Sequence, residues 1–254
     1  MKAKKSFGQH FLIDRSLSED IARQVTRDAE YDILLEVGPG KGALTEHLMR
    51  ETRKPFFAVE ADKDMIRYLS HKYPDWKGLL PMDFLKLDFS DFFVNKSIGI
   101  VGNFPYNISS QIVFRMLDNR EQIPVMIGMF QREMAKRIIS PPGSKDYGVI
   151  SVLTQLYYEG TLMFEVPPHS FSPPPKVHSQ VIRLQRNERK ELPCDYNRLK
   201  NIVKTTFSQR RKMLRNTLRS IIPDLDKIPK EYLTMRPEQL SVEDFIRLAC
   251  IIQS

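Results

Sequence analysis

The chain has 254 residues, which suits one large domain with a smaller one beside it. Its 41% hydrophobic and 28% charged residues are those of a soluble globular protein, and a net charge of +8 argues for a polyanionic partner, nucleic acid ahead of a membrane surface. Two cysteines in unrelated contexts, Cys194 and Cys250, and five histidines without ligand spacing exclude a disulfide framework and a zinc site, so no metal is expected.

Lys2, Lys4 and Lys5 open the chain, but the apolar run after them is only Phe11-Leu12-Ile13. That is too short for a signal peptide, and no stretch approaches transmembrane length. A monomer in a reducing cytoplasm, with no membrane partner, is the expectation. Residues 1–15 form a basic, aromatic lead-in. A helix should follow, since Ser16-x-x-Glu19 has the form of a capping box and Leu17, Ile21 and Val25 recur every four residues. The apolar run from Asp32 to Val37 is a strand that enters the turn Gly38-Pro39-Gly40-Lys41-Gly42. Ala43, Leu44, His47 and Leu48 give the next helical face. Strands are expected at Phe56–Val59, ending at Glu60, near Gly78–Met82, ending at Asp83, at Ile98–Val101 and at Val125–Phe130. This alternation of strands and helices indicates a mostly parallel, doubly wound α/β sheet.

After residue 148 the rhythm changes. Val149–Tyr158 reads as helix, Leu162–Val166 and Val177–Leu184 as strands, and Pro167–Pro175 between the last two as a stiff loop that cannot lie inside a sheet. Gln185–Leu192 is a charged linker, and the remainder looks helical. The expected division is 1–187 for the α/β domain and 188–254 for a small all-helical domain.

Glycine turns between a strand and a helix let a ligand approach the backbone closely. Glu60 follows Gly38 by 22 residues at the end of the second strand, where a carboxylate grips ribose hydroxyls. Both NAD and S-adenosylmethionine present such a ribose. The spacing Gly38-x-Gly40-x-Gly42 with Glu36 ahead of it favours the methyl donor, as does Asp83, a carboxylate able to receive the adenine amine of the cofactor. A pyrophosphate would gain nothing from so acidic a rim.

The fourth strand ends in Gly102-Asn103-Phe104-Pro105-Tyr106. The Asn103 side chain and the Phe104 carbonyl are both acceptors, Pro105 has no N–H, and a flat aromatic follows at once. The group suits a planar ring held by an exocyclic amine and stacked on Tyr106. The competing interpretation is a plain strand-ending turn with Tyr106 in the core.

From Arg198 to Arg219 the chain carries Lys200, Lys204, Arg210, Arg211, Lys212, Arg215 and Arg219 without one acidic residue. Leu199, Val203, Phe207, Leu214 and Leu218 form an apolar stripe, and Lys200, Lys204, Arg211, Arg215 and Arg219 a basic ridge beside it, provided that the helix is continuous. Ser208 could instead cap a second helix and break the register. Phosphate contact is the expected use of the ridge. A last helix should start at Ser241-x-x-Asp244, with Phe245, Leu248 and Ile252 facing inward.

Taken together, Gln9-His10-Phe11-Leu12, Glu36–Gly40, Glu60, Asp83 and Gly102–Ser109 stand in the order seen in the KsgA/RsmA family. The same order continues through Met129-Phe130-Gln131-Arg132-Glu133, Phe171–Val177 and Phe207–Asn216. The chain resembles that family, the ribosomal RNA adenine N6,N6-dimethyltransferases, over nearly its whole length. The resemblance implies a Rossmann-like class I methyltransferase fold. It implies S-adenosylmethionine contacts from His10, Leu12, Gly38, Gly40, Glu60, Asp83 and Asn103. It also implies a substrate of two adjacent adenines near the 3′ end of small-subunit ribosomal RNA, in immature small ribosomal subunits. The family has Asn where this chain has His10, so the backbone contact of that position carries over. It has Leu where this chain has Phe104, a change of volume beside the target base. Asn103 and the Phe104 carbonyl would then take the adenine N6 amine, Pro105 would set the shape, and Tyr106 would stack on the base. Phe171, on the proline loop, is either the second face for that base or an ordinary core residue. An Erm-like enzyme of large-subunit RNA, and a non-catalytic ribosome-assembly factor on the same fold, are the alternatives.

Overall fold

Each short β-branched or leucine-rich run becomes a strand because its backbone finds a neighbour to complete a ladder. The computed structural model describes residue 4 and residues 8–27, 30–222 and 224–253. Lys2, Lys5, Ser6 and Phe7 of the lead-in lie outside the described residues.

In chain order the elements are β1 (Phe11–Leu12), α1 (Arg15–Thr26), β2 (Ile33–Val37), α2 (Ala43–Glu51), β3 (Phe56–Glu60), α3 (Lys63–Lys72) and β4 (Leu79–Pro81). They continue with α4 (Phe89–Phe92), β5 (Ile98–Asn103), α5 (Ser109–Asp118), β6 (Val125–Gln131), α6 (Arg132–Ile139), α7 (Val149–Gln155) and β7 (Tyr158–Val166). The last are β8 (Phe171–Ser172), β9 (Ser179–Arg186), α8 (Tyr196–Ser208), α9 (Leu214–Leu218), α10 (Lys230–Thr234) and α11 (Val242–Gln253).

The seven-stranded sheet runs β4-β3-β2-β5-β6-β9-β7. The pairs from β4 to β6 are parallel, and β9 closes antiparallel on β6. The doubly wound expectation therefore holds. β2 is buried along its whole length, as a strand covered on both faces must be. Leu34, Val101, Ile127 and Met129 share one apolar cluster with Ile21, Ala22 and Val25 of α1 and with Leu44 and Leu48 of α2. From β2 the chain winds outward one way through β3 and β4, and from β5 the other way through β6. The carboxyl ends of β2 and β5 are thus the switch point of the sheet, where such folds bind ligands.

Two compact units divide the chain. One comprises 1–135 and 160–186, the other 136–159 and 187–254. The second unit thus takes in 136–159, a stretch that the sequence reading left with the α/β part. Within it, Phe207 meets the rings of Tyr147 and Phe245, each with centroids 6.0 Å away. Residues 136–159 carry one side of that core, so they cannot be separated from the helices that follow.

Several local expectations change. The cap of α1 is Asp14, whose carboxylate accepts from the Ser16 and Leu17 N–H groups at 3.1 and 3.3 Å. An ionised carboxylate is the better acceptor, and Glu19 pairs with Arg23 instead. The helix predicted to reach Tyr158 stops at Gln155, and Tyr158 opens β7. The long basic helix is two helices: α8 ends at Ser208, Gln209 leaves helical geometry with φ −127° and ψ 55°, and Met213 precedes α9. The cap of α11 matches its prediction, since Ser241 Oγ and N–H both donate to Asp244 Oδ2 and Asp244 N–H donates back to Ser241 Oγ.

Candidate active site

An open cleft lies at the switch point. It is lined by residues 8–12 of the lead-in, the turn from Gly38 to Lys41, Glu36, Glu60 and the run from Asn103 to Tyr106. The structure therefore brings His10, Leu12, Gly38, Gly40, Glu60 and Asn103 to one place.

The glycine turn is shaped by backbone torsion. Gly38, Gly40 and Gly42 have φ of 70°, 55° and 77°, a region that other residues enter at a cost. A Cβ on Gly40 would also lie 3.1 Å from the Phe11 ring. Glu60 fastens this turn to β3: its Oε2 accepts from Gly40 N–H at 3.0 Å and its Oε1 from Asp62 N–H at 2.9 Å. Burial raises the Glu60 pKa against these N–H donors.

Glu36 is the residue that the sequence reading left out of its site. It is 2% exposed on a strand that is otherwise apolar, accepts a 2.6 Å hydrogen bond from Thr45 Oγ1, and lines the cavity. Desolvation, opposed by Thr45 and reinforced by the Glu60 charge, pushes its pKa up to about 8. The signal was present in the chain, as an acid inside a run of aliphatic residues. Neither Glu36 nor Glu60 pairs with a cation among the described residues. Two buried acids at one cavity wall, Glu36 holding its proton at neutral pH and able to give it up to an incoming cation, suit a cationic ligand better than a pyrophosphate.

Asp83 is not part of this lining. Its Oδ1 caps a 3-10 turn by accepting from Leu85 N–H at 2.9 Å, two residues beyond the end of β4. It stands at the same carboxyl edge as Glu60 but serves the local turn.

The opening of the cavity is framed by the end of β5. Asn103 Nδ2 donates to the His10 carbonyl at 2.9 Å. That bond orients the amide, and its Oδ1 accepts no hydrogen bond among the described residues. Phe104 is 1% exposed, and its ring meets Phe130 edge-on at 5.1 Å. The expectation that its side chain alters volume beside a base is corrected: the ring packs in the core over Gly102 and Gly128. A Cβ on Gly128 would fall 2.1 Å from it. Only the backbone of Phe104 is left to face a ligand.

The Tyr106 hydroxyl is 2.6 Å from Ser179 Oγ, and burial raises its pKa against that bond. Its ring stacks on the His10 imidazole with centroids 5.4 Å apart and planes 29° from parallel. His10 Nδ1 lies 2.8 Å from the Pro173 carbonyl, which can only accept, so the ring carries its proton there. His10 thus joins the tyrosine plate, the Asn103 amide and the proline loop, which is more than the backbone contact expected of it.

Phe171 is 2% exposed and belongs to the apolar cluster under the sheet. The core alternative holds, and the role as second face for a base is corrected. The reason is β-pairing: Phe171–Ser172 forms a short antiparallel ladder with Phe11–Leu12, which turns the ring inward. The lead-in is also latched at its start. Gln9 Nε2 donates to Asp62 Oδ2 at 2.8 Å, and Lys4 Nζ lies 2.6 Å from Asp62 Oδ1 and 2.7 Å from Asp64 Oδ2. This strap was not legible in the sequence, because its partners are some 50 residues apart.

In the other unit the break after Ser208 separates Lys200 and Lys204 from Arg211, Lys212, Arg215 and Arg219. Lys204 and the last four are exposed, while Lys200 lies over the Tyr196 ring at 5.5 Å. Arg210 is turned inward, donating to the carbonyls of Ser144, at 2.9 Å, and Lys145. It ties residues 144–145 to the loop after α8 and drops out of the basic surface. Among the described residues no cluster of His, Cys, Asp or Glu could hold a metal ion, and no helix is long and apolar enough to cross a membrane.

A family model described as ribosomal RNA adenine dimethylase matches residues 1–254. The ribosomal RNA small subunit methyltransferase A of Porphyromonas gingivalis is 48% identical over 256 residues, spanning 100% of this chain and 98% of that protein. That of Cytophaga hutchinsonii is 45% identical over 249 residues, spanning 98% and 96%. Among solved structures, a dimethyladenosine transferase from Plasmodium falciparum has a TM-score of 0.77 at 24% identity, over 94% of this chain and 96% of that one, a likeness of fold. The 23S rRNA methyltransferase ErmE has a TM-score of 0.65 at 25% identity, over 96% and 100%.

Proposed function

The chain belongs to the ribosomal RNA adenine dimethylase family, and from that premise we propose that it dimethylates N6 of two adjacent adenines near the 3′ end of small-subunit ribosomal RNA, with S-adenosylmethionine as donor. The observation that carries this reading is the Asn103 amide, held by the His10 carbonyl so that its oxygen remains for a ligand amine. The donor, when bound, supplies a methyl group on a cationic sulfonium. Glu36 and Glu60 are suited to hold such a ligand, because each is a buried acid without a cationic partner among the described residues, and Glu36 can release its proton as the cation arrives. The glycine turn lets it approach the backbone.

The adenine amine is a poor nucleophile because its lone pair is delocalised into the ring. Asn103 Oδ1 and the Phe104 carbonyl accept its two N–H groups, which favours a more pyramidal nitrogen and aims the lone pair across the cavity. Pro105 contributes no competing N–H. Tyr106, fixed at its hydroxyl by Ser179, offers a stacking plate, an interaction worth about 1–3 kcal/mol. In the second round the amine has lost one N–H, so one acceptor suffices. The target base leaves its own stack to reach the plate, at a cost of a few kcal/mol. Lys204, Arg211, Lys212, Arg215 and Arg219 hold RNA phosphates, with Lys200 in a lesser part.

The test is methylation of small subunits that lack the modification, followed by mapping of dimethyladenosine. Product at two adjacent adenines near the 3′ end supports the reading. Activity on large-subunit RNA alone would overturn the choice of target, and no transfer to either RNA would overturn catalysis.

A further inference from the structure

Beyond Phe130, whose ring packs on Phe104, the sheet carries Gln131-Arg132-Glu133 to the anchor of Tyr106. Gln131 pairs with Ser179 across β6 and β9, and Ser179 Oγ is the atom that meets the tyrosine hydroxyl. One residue further on each strand come Arg132 and His178, joined by Arg132 N–H donating to the His178 carbonyl at 3.0 Å. Both side chains then converge on one atom of β7: Glu165 Oε1 lies 3.2 Å from Arg132 Nη1 and 2.5 Å from His178 Nδ1. The three side chains are 50%, 47% and 41% exposed.

We propose that Arg132 and His178 form a seat for a backbone phosphate of the substrate RNA beside the target adenine, occupied by the Glu165 carboxylate in the free protein. This rests on the function proposed above. Two N–H donors aimed at a single oxyanion oxygen are the arrangement that a phosphate oxygen requires. The guanidinium adds a planar fork, which can take two phosphate oxygens at once. An ion pair this open to water contributes little, so Glu165 leaves for solvent without stranding a buried charge. Lys176, exposed in the loop before β9, adds positive potential, and Glu133 is the acidic neighbour on α6.

Location decides the ligand. A base lying on Tyr106 brings its own sugar and phosphate with it, and Arg132 and His178, next in register to the tyrosine's anchor, are half-exposed there to receive them. Contacts of this kind position a strand without reading its sequence, which suits an enzyme that must hold each of two neighbouring nucleotides in turn. Glu165 competes for the same donors and so limits affinity, leaving the strand free to shift or depart.

Full-length protein is titrated with unmodified small subunits across a range of salt, and transfer is followed at saturating donor. Arg132→Ala should raise KM for the subunit about tenfold, leave the loss out of kcat, and reduce the salt slope by about one. Arg132→Lys keeps the charge and should restore the slope while recovering only part of the affinity. Glu165→Gln should tighten subunit binding about threefold. Binding of S-adenosylhomocysteine should match the unaltered protein in all three. An unchanged salt slope in Arg132→Ala, or weaker binding in Glu165→Gln, overturns the seat and leaves a plain structural ion pair. Since binding is read apart from turnover, failure of the unaltered protein to methylate any RNA would overturn the proposed function separately.

Discussion

Replacing Asn103 by Ala separates the chemistry of the site from its construction. Two things are lost. The bond from Nδ2 to the His10 carbonyl, at 2.9 Å, is a half-buried side chain to backbone contact. Its loss should cost about 1 kcal/mol of stability, or about 2–4 °C in Tm for a chain of this size. The other loss is Oδ1, one of two preorganised acceptors for the amine. Removing one oriented partner from a reacting centre costs about 3–4 kcal/mol in the barrier, or about 10²–10³ in kcat. The second effect is much the larger, and it leaves subunit binding nearly alone because stacking and phosphate contacts remain. Single-turnover methyl transfer to unmodified small subunits, with donor and subunit saturating, measures the rate; filter binding and calorimetry measure the rest. Asn103→Asp is the companion variant. It keeps an acceptor oxygen but sets a carboxylate against the His10 carbonyl, so it should loosen the lead-in and weaken donor binding. If Asn103→Ala retained kcat within about tenfold, or lost subunit binding in proportion to rate, the amide would be a structural strut and the clamp would be refuted.

Other perturbations test neighbouring parts. Gly128→Ala should destabilise by about 1–3 kcal/mol, because its Cβ would lie 2.1 Å from the Phe104 ring, and Phe104→Leu in the same chain should restore much of the Tm; a neutral single variant would deny that the glycine exists for that ring. Glu36 has a folded pKa raised to about 8, so its contribution to stability is present at low pH and lost as pH rises through that value. Glu36→Gln should therefore remove part of the alkaline fall in Tm between about pH 5 and 9, and a difference between the two proteins that does not vary with pH would contradict the buried, proton-binding carboxylate. Donor binding to the unaltered protein should release a proton near pH 7 and tighten with rising pH, whereas Glu36→Gln should show neither in calorimetry run in two buffers. Charge reversal at Arg211 and Arg215 should weaken subunit binding and lower its salt slope by up to about two, and an unchanged slope would place the RNA surface elsewhere.

Much of this molecule was readable in one dimension. Aliphatic runs of four to six residues alternating with helical spacing specify a parallel doubly wound sheet, because only strands covered on both faces are apolar throughout. Gly38-x-Gly40-x-Gly42, Glu60 and Asn103-Phe104-Pro105-Tyr106 could be placed at strand ends for the same reason, and strand ends on one edge of such a sheet meet at its switch point. Glu36 was legible too, since an acid two residues ahead of the first glycine must be buried if its strand is.

Tertiary structure alone decided the rest, and each case turns on a partner far away in the chain. Phe171 could be read either as a cover for a base or as a core residue, and pairing of its backbone with Phe11–Leu12 turned the ring into the core. Phe104 looked like a pocket wall until two glycines, Gly102 and Gly128, proved to be the space its ring fills. Arg210 belonged to a basic run by composition, but carbonyls some 65 residues away take its guanidinium. Asp83 caps its own turn through a local N–H two residues on, a use that the strand pattern does not show. His10 gained its ring contact with Tyr106 and its bond to the Pro173 carbonyl only through the folded lead-in. Periodicity reports which face of an element is apolar, and so it locates cores and strand ends. Which polar atom a side chain finally meets depends on loops closing over long separations, and no spacing within the chain encodes that.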